Sequence, residues 1–183
     1  MAEGPRPPGA RFTQGLLDEG AILAALEVRA GQTVLDAGCG NGYMALKFAA
    51  AVGGAGKVVA LDRDASFIEA LRPITDGTNM VAIQADICGT TPLPSTSVDL
   101  IYLSTVFHIF SPNQRGGFFR EARRLLKPGG LLAIVEIEKR ETPFGPPLER
   151  RWDPEDLKAL CPMPPGRTTG VGKHFYMQLF KNG

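Results

Sequence analysis

The stretch Thr33-Val34-Leu35-Asp36-Ala37-Gly38-Cys39-Gly40-Asn41-Gly42-Tyr43 constrains this chain more than any other. A short run of β-branched and apolar residues meets an acid, glycines follow at 38, 40 and 42, and apolar residues then recur through Met44, Leu46, Phe48 and Ala49. That order predicts a buried strand, a tight turn and the start of a helix. Glycines let the backbone turn sharply and approach a ligand with no Cβ in the way, while the helix start offers unpaired N–H groups. The turn is a ligand cradle. A dinucleotide fingerprint, G-x-G-x-x-G, needs its third glycine where Tyr43 stands, so a nicotinamide cofactor is disfavoured. Asp36, at the carboxyl end of the strand, favours a ligand that carries positive charge.

Downstream, strand and helix patterns alternate, which predicts an α/β fold. A helix is expected from Leu16 through Leu26, ending at Gly31, and a second strand over Lys57-Val58-Val59-Ala60-Leu61-Asp62. Asp62 lies twenty residues beyond Gly42, the spacing at which an acid on the second strand accepts both hydroxyls of a ribose. Asp64 is the better candidate for capping the helix predicted over Ala65–Leu71. A third strand is expected over Met80–Ile87 with Asp86 at its end, where it can form a turn before Gly89. A fourth covers Val98–Leu103, and Ser111 caps the helix that carries Phe118, Phe119, Ala122, Leu125 and Leu126, with Arg120, Arg123 and Arg124 on its wet side. Pro128 and Gly129 supply stop chemistry before a fifth strand ending near Glu136. Residues 139–150 form a Pro-rich loop, Asp153 caps a short helix to Leu160, and a short strand at 168–171 precedes a final strand over His174–Lys181.

Val34-Leu35-Asp36-Ala37-Gly38-Cys39-Gly40-Asn41-Gly42 resembles motif I of the class I S-adenosylmethionine (SAM)-dependent methyltransferases, and Leu126-Lys127-Pro128-Gly129-Gly130 resembles their post-motif. The resemblance covers roughly residues 30–181. It implies a Rossmann-like, seven-stranded, mostly parallel sheet in the order 3-2-1-4-5-7-6, with an antiparallel edge strand and helices on both faces. It implies SAM as methyl donor, with S-adenosylhomocysteine as product, and places cofactor contacts on Asp36, Gly38, Cys39, Gly40, Asp62, Arg63, Asp86, Ile87 and Ser104. Asp62 would hold the ribose, Asp86 the adenine amino group and the Ile87 N–H a ring nitrogen. Leu103-Ser104-Thr105-Val106 is not the Asn/Asp-Pro-Pro-aromatic tetrapeptide of enzymes that methylate base or amide nitrogens. The region resembles instead the small-molecule branch, type 11, which includes quinone and sterol methyltransferases. A homodimer is compatible with that branch.

Charge and composition narrow the acceptor. Twenty basic residues against nineteen acidic ones supply no broad electrostatic footprint for nucleic acid or an anionic membrane. Three cysteines, at 39, 88 and 161, show no paired metal spacing and are expected as reduced thiols in the cytoplasm. No signal peptide or membrane span is expected, and a flexible Pro-rich segment, 1–14, precedes a single domain, 15–183. Arg11 and Phe12 are candidates for covering the cofactor. The expected partner is thus a small-molecule methyl acceptor. His108, Glu136 and Tyr43 are the candidate bases, each with a structural alternative: a core histidine, a solvent-facing strand residue, and a tyrosine that closes over the cofactor. Rival readings are a methyltransferase of protein or RNA, and a SAM-binding module that never turns over.

Overall fold

The computed structural model describes residues 13–183, so the proposed roles of Arg11 and Phe12 lie outside it. Seven strands form one sheet in the order β3-β2-β1-β4-β5-β7-β6. They are β1 (Thr33–Ala37), β2 (Lys57–Asp62), β3 (Met80–Gln84), β4 (Val98–Ser104), β5 (Leu126–Ile137), β6 (Pro165–Gly172) and β7 (Phe175–Lys181). The first five run parallel, whereas β7 pairs antiparallel with both β5 and β6. The helices are α1 (Glu19–Leu26), α2 (Tyr43–Val52), α3 (Ala65–Thr75), α4 (Pro112–Leu125) and α5 (Pro154–Leu160). This is the order and architecture expected from the sequence.

Because side chains alternate across a strand, each central strand feeds two cores. Val34, Ala60, Tyr102 and Val135 pack with Phe48 and Met44 of α2, Ile68 of α3 and Ile22 of α1. Their neighbours Leu35, Leu61, Leu103 and Ile134 pack with Phe118, Phe119 and Ala122 of α4 and Leu157 of α5. The parity has a functional consequence: Asp36 and Ser104 fall on the α2 side, and Glu136 on the α4 side.

Several boundaries differ from the expectations. α1 begins only at Glu19, where the Asp18 side chain accepts from Ala21 N–H, and stops at Leu26 with Glu27 in the left-handed conformation, well short of Gly31. α3 runs on to Thr75 with Pro73 inside it. β3 stops at Gln84, and β6 extends back to Pro165. α4 ends at Leu125, before Pro128 and Gly129, because Leu126 already pairs with Val98 across β4. The Lys127–Gly130 stretch is instead a kink in β5, with the Gly129 N–H bonded to Asn182. Arg124 is not on the wet side: its guanidinium binds Glu121 and the carbonyls of Thr91 and Leu93, tying the loop before β4 to α4. Among the described residues no helix is long and apolar enough to cross a membrane.

Gly117 of α4 lies under the loop that follows β3, and a Cβ there would stand 2.0 Å from the Cys88 carbonyl oxygen. Alanine in a helix interior ordinarily gains about 1 kcal/mol over glycine. Here overlap with backbone outweighs that gain. Gly117→Ala is expected to lower stability by about 2 kcal/mol or more, read from the urea midpoint; an unchanged or raised midpoint would contradict this packing.

Candidate active site at the carboxyl edge of the sheet

The strand order reverses direction between β1 and β4, the point at which open α/β sheets bind ligands. The glycine loop after β1 and the segment after β4 meet there. Gly38, Gly40 and Gly42 have φ of 74°, 51° and 75°. A Cβ on Gly38 would stand 2.8 Å from Val106 Cγ2, so the two segments are in direct contact. Thr105 has a φ of 55°, a strained value for a β-branched residue; its N–H is bonded to Val135 O and its hydroxyl to Ser104 O. Nothing in the local sequence announced that strain.

On the α2 side of this crevice, three buried oxygens have no hydrogen-bond partner among the described residues: Asp36 Oδ2, Tyr102 OH and Ser104 Oγ. Asp36 pairs with Tyr102 in the β1–β4 register, and Ser104 is the next residue of β4 on the same face. Burial pushes the Asp36 carboxyl up to about 7; the Ala45 N–H opposes the shift and the charge of Asp62 adds to it. Burial also raises the Tyr102 phenol well above its ordinary value. Tyr102, wedged edge-on against Phe48, was missed by sequence reasoning because it reads as one more apolar strand residue. The recess fits a cation with several N–H donors, and an α-ammonium group is one.

Asp62, at the tip of β2, is held by the backbone. Its Oδ2 accepts from Gly40 N–H at 2.9 Å and its Oδ1 from Asp64 N–H at 2.9 Å. Two of a carboxylate's four acceptor positions are therefore used, and one on each oxygen remains for a diol. Asp64 caps α3, as its position suggested. Asp86 lies on the exposed turn after β3, accepting from Cys88 N–H at 2.8 Å, with Ile87 buried behind it. The turn-forming reading of Asp86 is thus present in the structure. Arg63 is exposed next to Asp62. Tyr43 opens α2 and takes Lys47 over its ring at 5.5 Å. Cys39 is buried in the glycine loop, its thiol held protonated by burial and by Asp36 and Asp62.

On the α4 side, Glu136 is fully buried and meets His108 twice. Its Oε1 accepts from the His108 backbone N–H at 3.2 Å, and its Oε2 lies 3.0 Å from Nδ1. The two base candidates are thus one unit, while Tyr43 belongs to the glycine loop. A further buried cation, Arg151, was not anticipated. Its guanidinium donates to the carbonyls of Glu138, Arg140, Phe144 and Pro146 and to the Thr142 hydroxyl, so the expected loop after β5 is wrapped around one side chain. A depression of about 590 Å³ opens at the other edge of the sheet, beside Asp99 and Lys127, and none of these groups lines it.

Residues 34–130, just over half of the chain, match the family model described as a methyltransferase domain. The chain belongs to that family. A ubiquinone/menaquinone biosynthesis C-methyltransferase UbiE from Hahella chejuensis is 34% identical over 137 residues, covering 73% of this chain and 53% of that protein. Its Escherichia coli O1:K1 counterpart is 36% identical over 137 residues, covering 73% and 52%. The methyltransferase domain described here thus spans about half the length of these curated relatives. A SAM-dependent methyltransferase of known structure from Aquifex aeolicus superposes with a TM-score of 0.83 at 26% identity, covering 93% of each chain.

The Asp36 carboxyl of this methyltransferase domain gives a pH-dependent stability. In the ligand-free fold its titration is displaced upward, so its stability contribution is fully present below the ordinary carboxyl range near 3.8 and is lost as pH rises through about 7. Asp36→Asn is expected to stabilise the ligand-free protein at pH 8 by up to roughly 4 kcal/mol. The gain should shrink toward zero at pH 4. Urea unfolding at the two pH values checks both the sign and the window.

Proposed function

We propose that the chain is a SAM-dependent methyltransferase acting on a small-molecule acceptor. The observation that carries this reading is the set of three unpartnered buried oxygens, from Asp36, Tyr102 and Ser104, at the sheet's switch point beside the glycine loop. When bound, SAM would supply a methyl group already activated by its positively charged sulfur.

The remaining work belongs to this chain's own residues. Asp36 would take the ammonium end of the cofactor, with Tyr102 and Ser104 completing the recess around it. The backbone of Gly38, Cys39 and Gly40 would pass beneath the ligand, and Asp62, already oriented by two N–H groups, would accept the ribose hydroxyls. Asp86 and the Ile87 N–H would face the adenine, with Arg63 along the same edge. Beyond the sulfur, the acceptor would lie over β4 and β5, where it can be lined up with the methyl carbon while water is kept out. The UbiE relatives support a small acceptor, and the balanced charge of the chain offers no broad surface for nucleic acid.

Calorimetric titration with S-adenosylhomocysteine tests the reading. The wild-type chain should bind it, and Asp62→Ala should weaken binding at least about tenfold, the loss of one charge-assisted hydrogen-bonded contact. Methyl-labelled SAM incubated with a small-metabolite extract should yield a labelled small product. Tight binding with no labelled product would favour a module that binds SAM without turning it over.

A further inference from the structure

We propose that His108 and Glu136 form a proton-abstracting pair, and that the methylated atom of the acceptor therefore carries an acidic hydrogen, as in a hydroxyl or an activated C–H. The inference rests on the methyl-transfer reading and names the acceptor class for that same site.

Glu136 continues the Leu132 and Ile134 face of β5 into the carboxyl edge, where it is fully buried. A carboxylate is costly to bury, and both of its oxygens are met by a single residue, His108. A carboxylate can only accept, so the bond to Nδ1 fixes the proton of the neutral ring on that nitrogen. Nε2 is left with its lone pair. Among the described residues Nε2 has no hydrogen-bond partner, and the side chain keeps 11% of its surface exposed.

The turn that carries His108 is rigid and correctly placed. Phe107–Ile109 form one 3₁₀ turn after β4. Phe107 is clamped by Phe110, Phe118, Phe119 and Trp152, with ring centroids 5.4–6.1 Å away. Val106, at the head of the turn, lies against the glycine loop at Gly38, so the turn that carries His108 borders the same crevice. Tyr176 lies opposite Glu136 on β7, but its phenol donates to Trp152 O at 2.6 Å and burial and the charge of Glu136 hold it protonated, so it does not compete as a base.

The proton balance closes. As the acceptor O–H or C–H bond breaks, its proton passes to Nε2 and its electron pair forms the new bond to the methyl carbon. The carbon–sulfur bond breaks with its pair remaining on sulfur, giving a neutral thioether. Glu136 offsets the imidazolium charge until the proton leaves to solvent. A thioether or tertiary amine has a free pair and no such proton to lose, so this pair would do nothing for it.

Nitrogen-15 NMR of the histidine-labelled full chain tests the arrangement, because His108 and His174 are the two histidines and His108→Gln assigns the signals. The neutral His108 ring should carry its proton on Nδ1 in the wild type and lose that preference in Glu136→Gln. In the methyl-label assay, His108→Gln should cut transfer at least about a hundredfold and Glu136→Gln by at least about tenfold. Affinity of either variant for S-adenosylhomocysteine should stay within about twofold of wild type, since neither touches the cofactor recess. A neutral ring protonated on Nε2, full transfer by His108→Gln, or a labelled sulfonium or quaternary ammonium product would overturn the proposal. Failure of the wild type to bind S-adenosylhomocysteine would instead overturn the methyltransferase reading beneath it.

Discussion

Asp36 is a carboxyl group placed at the end of the central strand, on a buried face, with one oxygen that no described residue satisfies. Leaving such a group unpaired costs several kcal/mol, more than most single core contacts return. The sequence around it is otherwise well suited to a strand, and an apolar residue would pack there without penalty. The acid makes physical sense as a binding group whose partner comes from outside the chain. Tyr102 and Ser104 deepen the point, because they add two more unpartnered oxygens on the adjacent strand and the same face. Together the carboxyl oxygen and the two hydroxyls line a buried polar gap that a donor-rich ligand can fill.

The alternation of side chains then divides the edge into two chemistries. One face gathers a carboxyl and two hydroxyls around Asp36. The other holds Glu136, fully paired with His108, so a charge is stored beside an imidazole nitrogen that is still free. β4 separates the two, and Thr105, strained at a φ of 55°, follows directly on its tip. Arg151 adds rigidity farther along, since five acceptors of the loop after β5 converge on one guanidinium. Phe144 and Leu148 of that segment stay exposed on the surface it presents.

The sheet and its order were legible in the sequence because the parallel strands are compact apolar runs, most of them ended by an acid or a glycine turn, with β4 running instead into Ser104 and Thr105. Asp36 and Asp62 were readable from their spacing to the glycines. Tyr102 was not, since an apolar-looking ring in a buried run gives no sign that its hydroxyl lacks a partner. The joining of His108 to Glu136 was also hidden: twenty-eight residues separate them, and only the register of β4 with β5 brings them within 3.0 Å. Arg151 follows directly on the Pro-rich 139–150 loop and belongs to no motif, so nothing local marked it as buried. Helix ends drifted where tertiary pairing overrode local signals, as at Leu126, which joins the sheet before its proline and glycines are reached.

The central claim is that Asp36 waits, largely protonated below neutrality, for a cation. Calorimetry of S-adenosylhomocysteine binding near pH 6, repeated in buffers of different ionisation heat, counts the protons exchanged. With the ligand-free carboxyl at about 7, binding of the ammonium should release close to one proton, and Asp36→Asn should abolish the release. Binding with no proton released, or with the same release in the variant, would contradict the account.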